Sequence, residues 1–82
     1  MALLYPILTE RSFDLMERYN KLVFVVDKKA TKSDVKKEVE EKYNVKVKKV
    51  NITNEFGKAK KAFITLAPDF DAGKIISDMG LM

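Results

Sequence analysis

VKVKKVNITNEFGKAKKAFITLAP, residues 45–68, is the stretch on which the fold turns. Asn54 and Gly57 supply residues able to reach left-handed backbone angles, and apolar alternation runs away from them on both sides. After the turn, Ala62, Ile64 and Leu66 alternate with Phe63 and Thr65 until Pro68 ends the run. Before it, Val45 and Val47 alternate with Lys46 and Lys48, and then the phase slips: Val50 and Ile52 fall on the lysine face and Lys49 on the valine face. Either a bulge re-aims the strand near Lys48, or the sheet carries apolar cover on both faces beyond that point. Both alternatives predict an antiparallel hairpin. Its turn is followed by Lys58, Lys60 and Lys61 with small alanines between them, which is more charge than turn geometry requires.

Upstream, ATKSDVKKEVEEKYN reads as a helix capped by Thr31 or Ser33, with Val35, Val39 and Tyr43 on one face and Asn44 after the last turn. Lys36 with Glu40 and Lys37 with Glu41 sit a turn apart on its other faces and read as a solvated back. KLVFVVD, residues 21–27, holds five consecutive apolar residues, which predicts a strand covered on both sides. Thr9 before ERSF reads as the cap of a first helix running to about Arg18, with Leu8 placed to staple Phe13 and Asn20 suited to a left-handed stop. Pro6 keeps Tyr5 extended. Downstream, Asp71 caps AGKIISDM, Phe70 is placed against Ile75, Ile75, Ile76 and Met79 form the buried face, and Gly80 stops the helix. The order α-β-α-β-β-α predicts an α+β domain over residues 1–82, a small, mainly antiparallel sheet of three to four strands with helices packed on it.

Eighty-two residues, 46% of them hydrophobic, suffice for one small core and leave no room for a second domain. With no cysteine and no histidine, the chain lacks thiolate nucleophiles, disulfides, the usual zinc ligands and the side chain that titrates near neutrality. Gly57, Gly73 and Gly80 are isolated, so no phosphate-wrapping loop is present, and the serines have no base beside them. The expectation is no enzyme, no cofactor, no metal site and no catalytic residue. No apolar run approaches the roughly 20 residues of a membrane span, and MALLYPILTE lacks the basic and apolar regions of a secretory leader. The expected location is the cytoplasm.

The net charge of +4 is concentrated: residues 44–68 carry Lys46, Lys48, Lys49, Lys58, Lys60 and Lys61 against Glu55 alone, or +5. The other segments sum to −1, +2 and −2 in chain order. A single-sign patch on a small domain points to a polyanionic partner, chiefly nucleic acid, or else to a solubilising surface. Lysines at strand spacing around the turn would form a ridge of phosphate contacts, which position a protein on RNA or DNA without reading sequence. Phe56 at the turn can stack on an unpaired base or cover the edge of the core. Arg11, Lys28, Lys29 and Lys32 are the other candidate cationic contacts.

The segments YPILTERS, NKLVFVVDKKATKSDVKKEVEEKYNVKVKKVN and GKAKKAFITLAP resemble, in order and spacing, the universal large-subunit ribosomal protein family numbered twenty-three in its archaeal form. The resemblance covers nearly the whole chain and implies binding to large-subunit ribosomal RNA at the rim of the peptide exit tunnel. It also implies contact with the neighbouring ribosomal protein numbered twenty-nine, a docking surface for signal recognition particle and other exit-site factors, and no catalysis. Glu10 matches the family's acidic docking residue, while as the first helical residue it also favours the positive end of the helix dipole. The turn is short beside that of bacterial members, and Leu4 and Tyr5 stand where relatives often carry a basic residue. The rival reading is a free-standing protein-interaction domain that uses a sheet edge or the second-helix stripe.

Overall fold

The computed structural model describes residues 3–54 and 60–78. The chain runs β1 (Leu3–Pro6), α1 (Glu10–Tyr19), β2 (Lys21–Val26), α2 (Lys32–Tyr43), β3 (Val47–Thr53), β4 (Lys60–Leu66) and α3 (Ala72–Asp78). The four strands form one antiparallel sheet in the order β1-β2-β4-β3. The α+β reading and the hairpin both hold, with β1 as an additional element. The extended run before Pro6 pairs with β2, Tyr5 opposite Val25 and Pro6 opposite Phe24. An edge position suits a strand containing proline, which has no N–H to donate. Glu55, Phe56, Gly57, Lys58, Met79 and Gly80 lie outside the described residues.

Local chemistry explains where the helices begin and end. Thr9 Oγ1 accepts from the Ser12 N–H at 3.2 Å and Ser12 Oγ from the Thr9 N–H at 2.8 Å, a reciprocal capping box. Thr31 and Asp34 repeat the arrangement at the start of α2, which identifies Thr31 as its cap in preference to Ser33. Asn20 and Asn44 end α1 and α2 with φ of 56° each, the left-handed region that asparagine tolerates better than most residues. Asp71 Oδ1 accepts from the Gly73 N–H at 2.8 Å at the entrance to α3.

Val35 and Val39 of α2 are completely buried, as are Ala62 and Ile64 of β4. They share a core with Leu22, Phe24 and Val26 of β2, Val47 and Val50 of β3, Met16 of α1, and Ala72, Ile75 and Ile76 of α3. Each helix therefore contributes to this core, and α1 also borders the other face of the sheet, where Ser12 and Leu15 lie beside Val23 and Phe63. The expected cover on both sides of β2 is met in burial: Val23 and Val25 are buried although they stand outside this core cluster. They are screened by cross-strand neighbours, Val23 by Phe63 and Val25 by Lys61 and Tyr5. The phase slip in β3 is a bulge, because the register shifts between Val47 and Lys49. Glu40, read as part of the solvated back of α2, is half-buried instead. Glu40 turns its carboxylate to the Val47 N–H at 2.9 Å, tying α2 to the first residue of β3.

Tyr43 completes the α2 stripe as a half-buried residue, its ring tilted against Phe24 with centroids 6.4 Å apart. Its buried hydroxyl has no hydrogen-bond partner among the described residues. Burial, followed by the nearby Glu38 charge, pushes the phenol above its ordinary value. The folded state thus holds this proton more tightly than the unfolded chain. The associated stability is complete below the ordinary phenol value near about 10 and is lost as pH rises through the folded value. Tyr43→Phe is expected to melt at or slightly above the parent temperature at neutral pH, and to lose less stability in alkali. A melting point lowered by several degrees would show that the hydroxyl has a partner.

Candidate nucleic-acid interface

The strand register arranges the face opposite the core residues Leu22, Phe24 and Ile64 in three rows. Lys21 lies beside Thr65 and Thr65 beside Lys49; Val23 lies beside Phe63 and Phe63 beside Asn51; Tyr5, Val25, Lys61 and Thr53 follow across all four strands. The centre of this face is apolar and aromatic, and lysines stand at both ends. Lys49 and Lys61 are separated by about four strand steps, roughly 13 Å.

Charge follows the two layers. The described strands contain Lys21, Lys48, Lys49, Lys60 and Lys61 and no aspartate or glutamate. The helices carry Glu10, Asp14 and Glu17 on α1, Asp34, Glu38, Glu40 and Glu41 on α2, and Asp78 on α3. Acids are balanced by bases within the helical layer, whereas the sheet is basic throughout. Such a surface attracts a polyanion to one side of the molecule and orients it there.

The lysines expected to form one ridge divide between the two ends of the sheet. Lys46, Lys48 and Lys49 are exposed at the start of β3, with Lys48 in the bulge and Lys49 turned to the open face. Lys60 and Lys61 are half-buried at the start of β4, at the opposite end. Lys60 pairs with Val26, which brings the exposed Lys28 and Lys29 of the following turn, and Lys32 at the start of α2, to that same end. Arg11 is exposed on the first turn of α1 and borders the open face beside Phe63 and Lys61. Glu10 is exposed next to it. Lys58 and Phe56 lie outside the described residues.

Sequence reasoning missed Lys21, Tyr5 and Phe63 as candidates for this face. Lys21 and Phe63 carry a usable signal: each has the strand phase opposite to the core residues Leu22 and Ile64. Lys21 Nζ also lies 5.7 Å from the centre of the exposed Tyr19 ring. Tyr5 is 58% exposed, and its place becomes visible only through the β1–β2 register.

Among the described residues no group of acids could hold a metal ion, and no helix is long and apolar enough to cross a membrane.

The family model described as ribosomal protein L23 matches residues 1–67. The large ribosomal subunit protein uL23 of Methanococcus aeolicus is 45% identical over 76 residues, spanning 93% of this chain and 88% of the relative. The protein of the same description from Picrophilus torridus is 47% identical over 76 residues, spanning 93% of this chain and 92% of that relative.

Proposed function

Because the chain belongs to the ribosomal protein L23 family, a structural and non-enzymatic constituent of the large ribosomal subunit, we propose that its open sheet face binds large-subunit ribosomal RNA. Its place is then the cytoplasmic ribosome. The observation that carries the reading is the segregation of charge: the strand layer holds lysines without acids, while every helix carries acids. RNA approaching the sheet meets no like charge from the strands, and the helical layer is left facing proteins. The solvated-surface alternative accounts for lysines in general but not for the absence of acids from the described strands.

On this reading Lys21, Lys49 and Lys61 contact phosphates across the open face, with Lys46, Lys48, Lys60 and Arg11 at its margins and Lys28, Lys29 and Lys32 at the same sheet end as Lys60. Lys58 is a further candidate from the sequence. The resemblance to the family supports a position at the rim of the peptide exit tunnel, beside the ribosomal protein numbered twenty-nine. It also supports docking of signal recognition particle and other exit-site factors at the exposed Glu10.

Replacing Lys49, Lys60 and Lys61 together by glutamine is expected to leave the fold intact, because exposed and half-exposed lysines contribute little to stability. Binding to large-subunit RNA fragments should weaken, and the slope of log K against log salt should flatten by about 0.7 to 0.9 per lost phosphate contact. Glu10→Ala should spare that binding and instead weaken factor docking to assembled ribosomes. Parental affinity and salt slope in the triple glutamine protein would remove the sheet face from the interface.

A further inference from the structure

Phosphate contacts require lysines, but they do not require an aromatic ring at the centre of the face. Phe63 stands between Val23 and Asn51 in the middle row, half-buried and on the side of β4 away from the core. Beside it lies a depression between α1 and the sheet, lined by the apolar Leu15, Val23 and Phe63 and by the polar Arg11, Thr53 and Lys61 among others. Among the described residues no aspartate or glutamate lines it. Its volume of about 240 Å³ falls below the roughly 300 to 1,000 Å³ of sites that engulf small molecules. It suits one flat group laid on the sheet.

We propose that this depression takes a single unpaired nucleotide of the bound RNA, its base against Phe63 and Val23 and its phosphate met by Arg11 and Lys61. The proposal rests on the ribosomal RNA reading above and narrows it to a structural class of RNA. A paired helix hides its base faces within the stack, so a ring at the centre of a protein face gains nothing from duplex RNA. A bulged or looped base offers a free π-face. An acidic peptide would be held by the cations but would leave the ring without a planar partner. The Thr53 hydroxyl in the lining supplies a hydrogen-bonding group beside the apolar residues.

The probe is a short RNA duplex carrying one unpaired 2-aminopurine in a bulge, compared with the same duplex without the bulge. The parent protein is expected to bind the bulged RNA about tenfold more tightly and to change the 2-aminopurine emission. Phe63→Leu should lose both effects while keeping the parental salt slope, and Phe63→Tyr, which keeps the ring, should retain them. The lysine-to-glutamine protein described above should bind both RNAs more weakly than the parent. Melting of Phe63→Leu near the parental temperature establishes that its fold is intact, and the tyrosine protein tests the ring if it is not. Equal parental affinity for the two RNAs, or a bulge preference that survives in Phe63→Leu, would overturn the nucleotide site and leave the phosphate-binding reading standing. Binding to neither RNA would overturn both. Free adenosine monophosphate or a poly-glutamate peptide that binds as tightly, with the same dependence on Phe63, would assign the depression to a different ligand and overturn it as well.

Discussion

Val39→Asp is expected to abolish the cooperative melting transition, while Lys37→Asp on the exposed side of the same helix shifts it little. Val39 is completely buried together with Val35, and both belong to the core that joins α2 to the sheet. An ionised carboxylate placed there loses its hydration without a partner, and even the neutral acid leaves a polar group among aliphatic side chains. Substitutions of this kind reach about 4 to 5 kcal/mol. Net stability is typically about 5 to 15 kcal/mol and tends toward the low end in a domain of this size. The burial term therefore outweighs most of what holds the chain folded. Lys37 is exposed, so its replacement falls within about 0.5 kcal/mol. Circular dichroism melting of the two proteins decides the matter, and comparable shifts would mean that α2 presents its other face to the sheet.

The hairpin and the three helices are legible in the sequence because their signals are local. Capping threonines, asparagines at helix ends and the strict alternation of Ala62, Ile64 and Leu66 each act within a few residues. The bulge was one of two readings of the phase slip, and only the pairing of Val47 with Leu66 and Lys49 with Thr65 selects it. β1 escapes because its four residues are too few to display a period. The open face escapes for a different reason. Val23 and Val25 make β2 apolar on both sides, so composition predicts cover there, and that cover is partial: Ser12 and Leu15 of α1 border Val23, while Phe63, Lys61 and Tyr5 flank the rest. Strand phase sets Lys21 and Phe63 opposite Leu22 and Ile64, but bringing them into one surface needs the identity of the neighbouring strands, which no local window contains. The division of lysines between the two sheet ends is likewise a consequence of register.

The same limit applies to Asn20, whose replacement carries the second large expected effect. Its left-handed backbone is readable from its place after a helix, but its side chain acts at long range. Nδ2 donates to the Phe70 carbonyl at 2.6 Å and to the Ala67 carbonyl at 3.3 Å, and Oδ1 accepts from the Ala72 N–H at 2.7 Å. Its own carbonyl accepts from the Leu66 N–H at 3.1 Å, and its N–H donates to the Met16 carbonyl at 3.1 Å. One residue thus clasps the end of α1, the end of β4 and the entrance to α3. Asn20→Gly keeps the left-handed backbone and removes the side-chain bonds, exposing the buried Ala72 to the loss of its donor's partner. The cost of such a buried unsatisfied group is about 1 to 3 kcal/mol. Asn20→Ala removes the same bonds and adds roughly 1 to 2 kcal/mol for a Cβ in the left-handed region. Urea denaturation is therefore expected to rank the proteins parent, glycine, alanine in falling stability. A glycine protein as stable as the parent would reduce Asn20 to a backbone role, and equal glycine and alanine proteins would remove the strain. Because α1 carries Arg11 to the edge of the open face, loosening this clasp should also weaken RNA binding without touching any residue of the sheet. That loss should be reversed by a stabilising osmolyte, which restores the position of α1, whereas the loss caused by removing the sheet lysines should not.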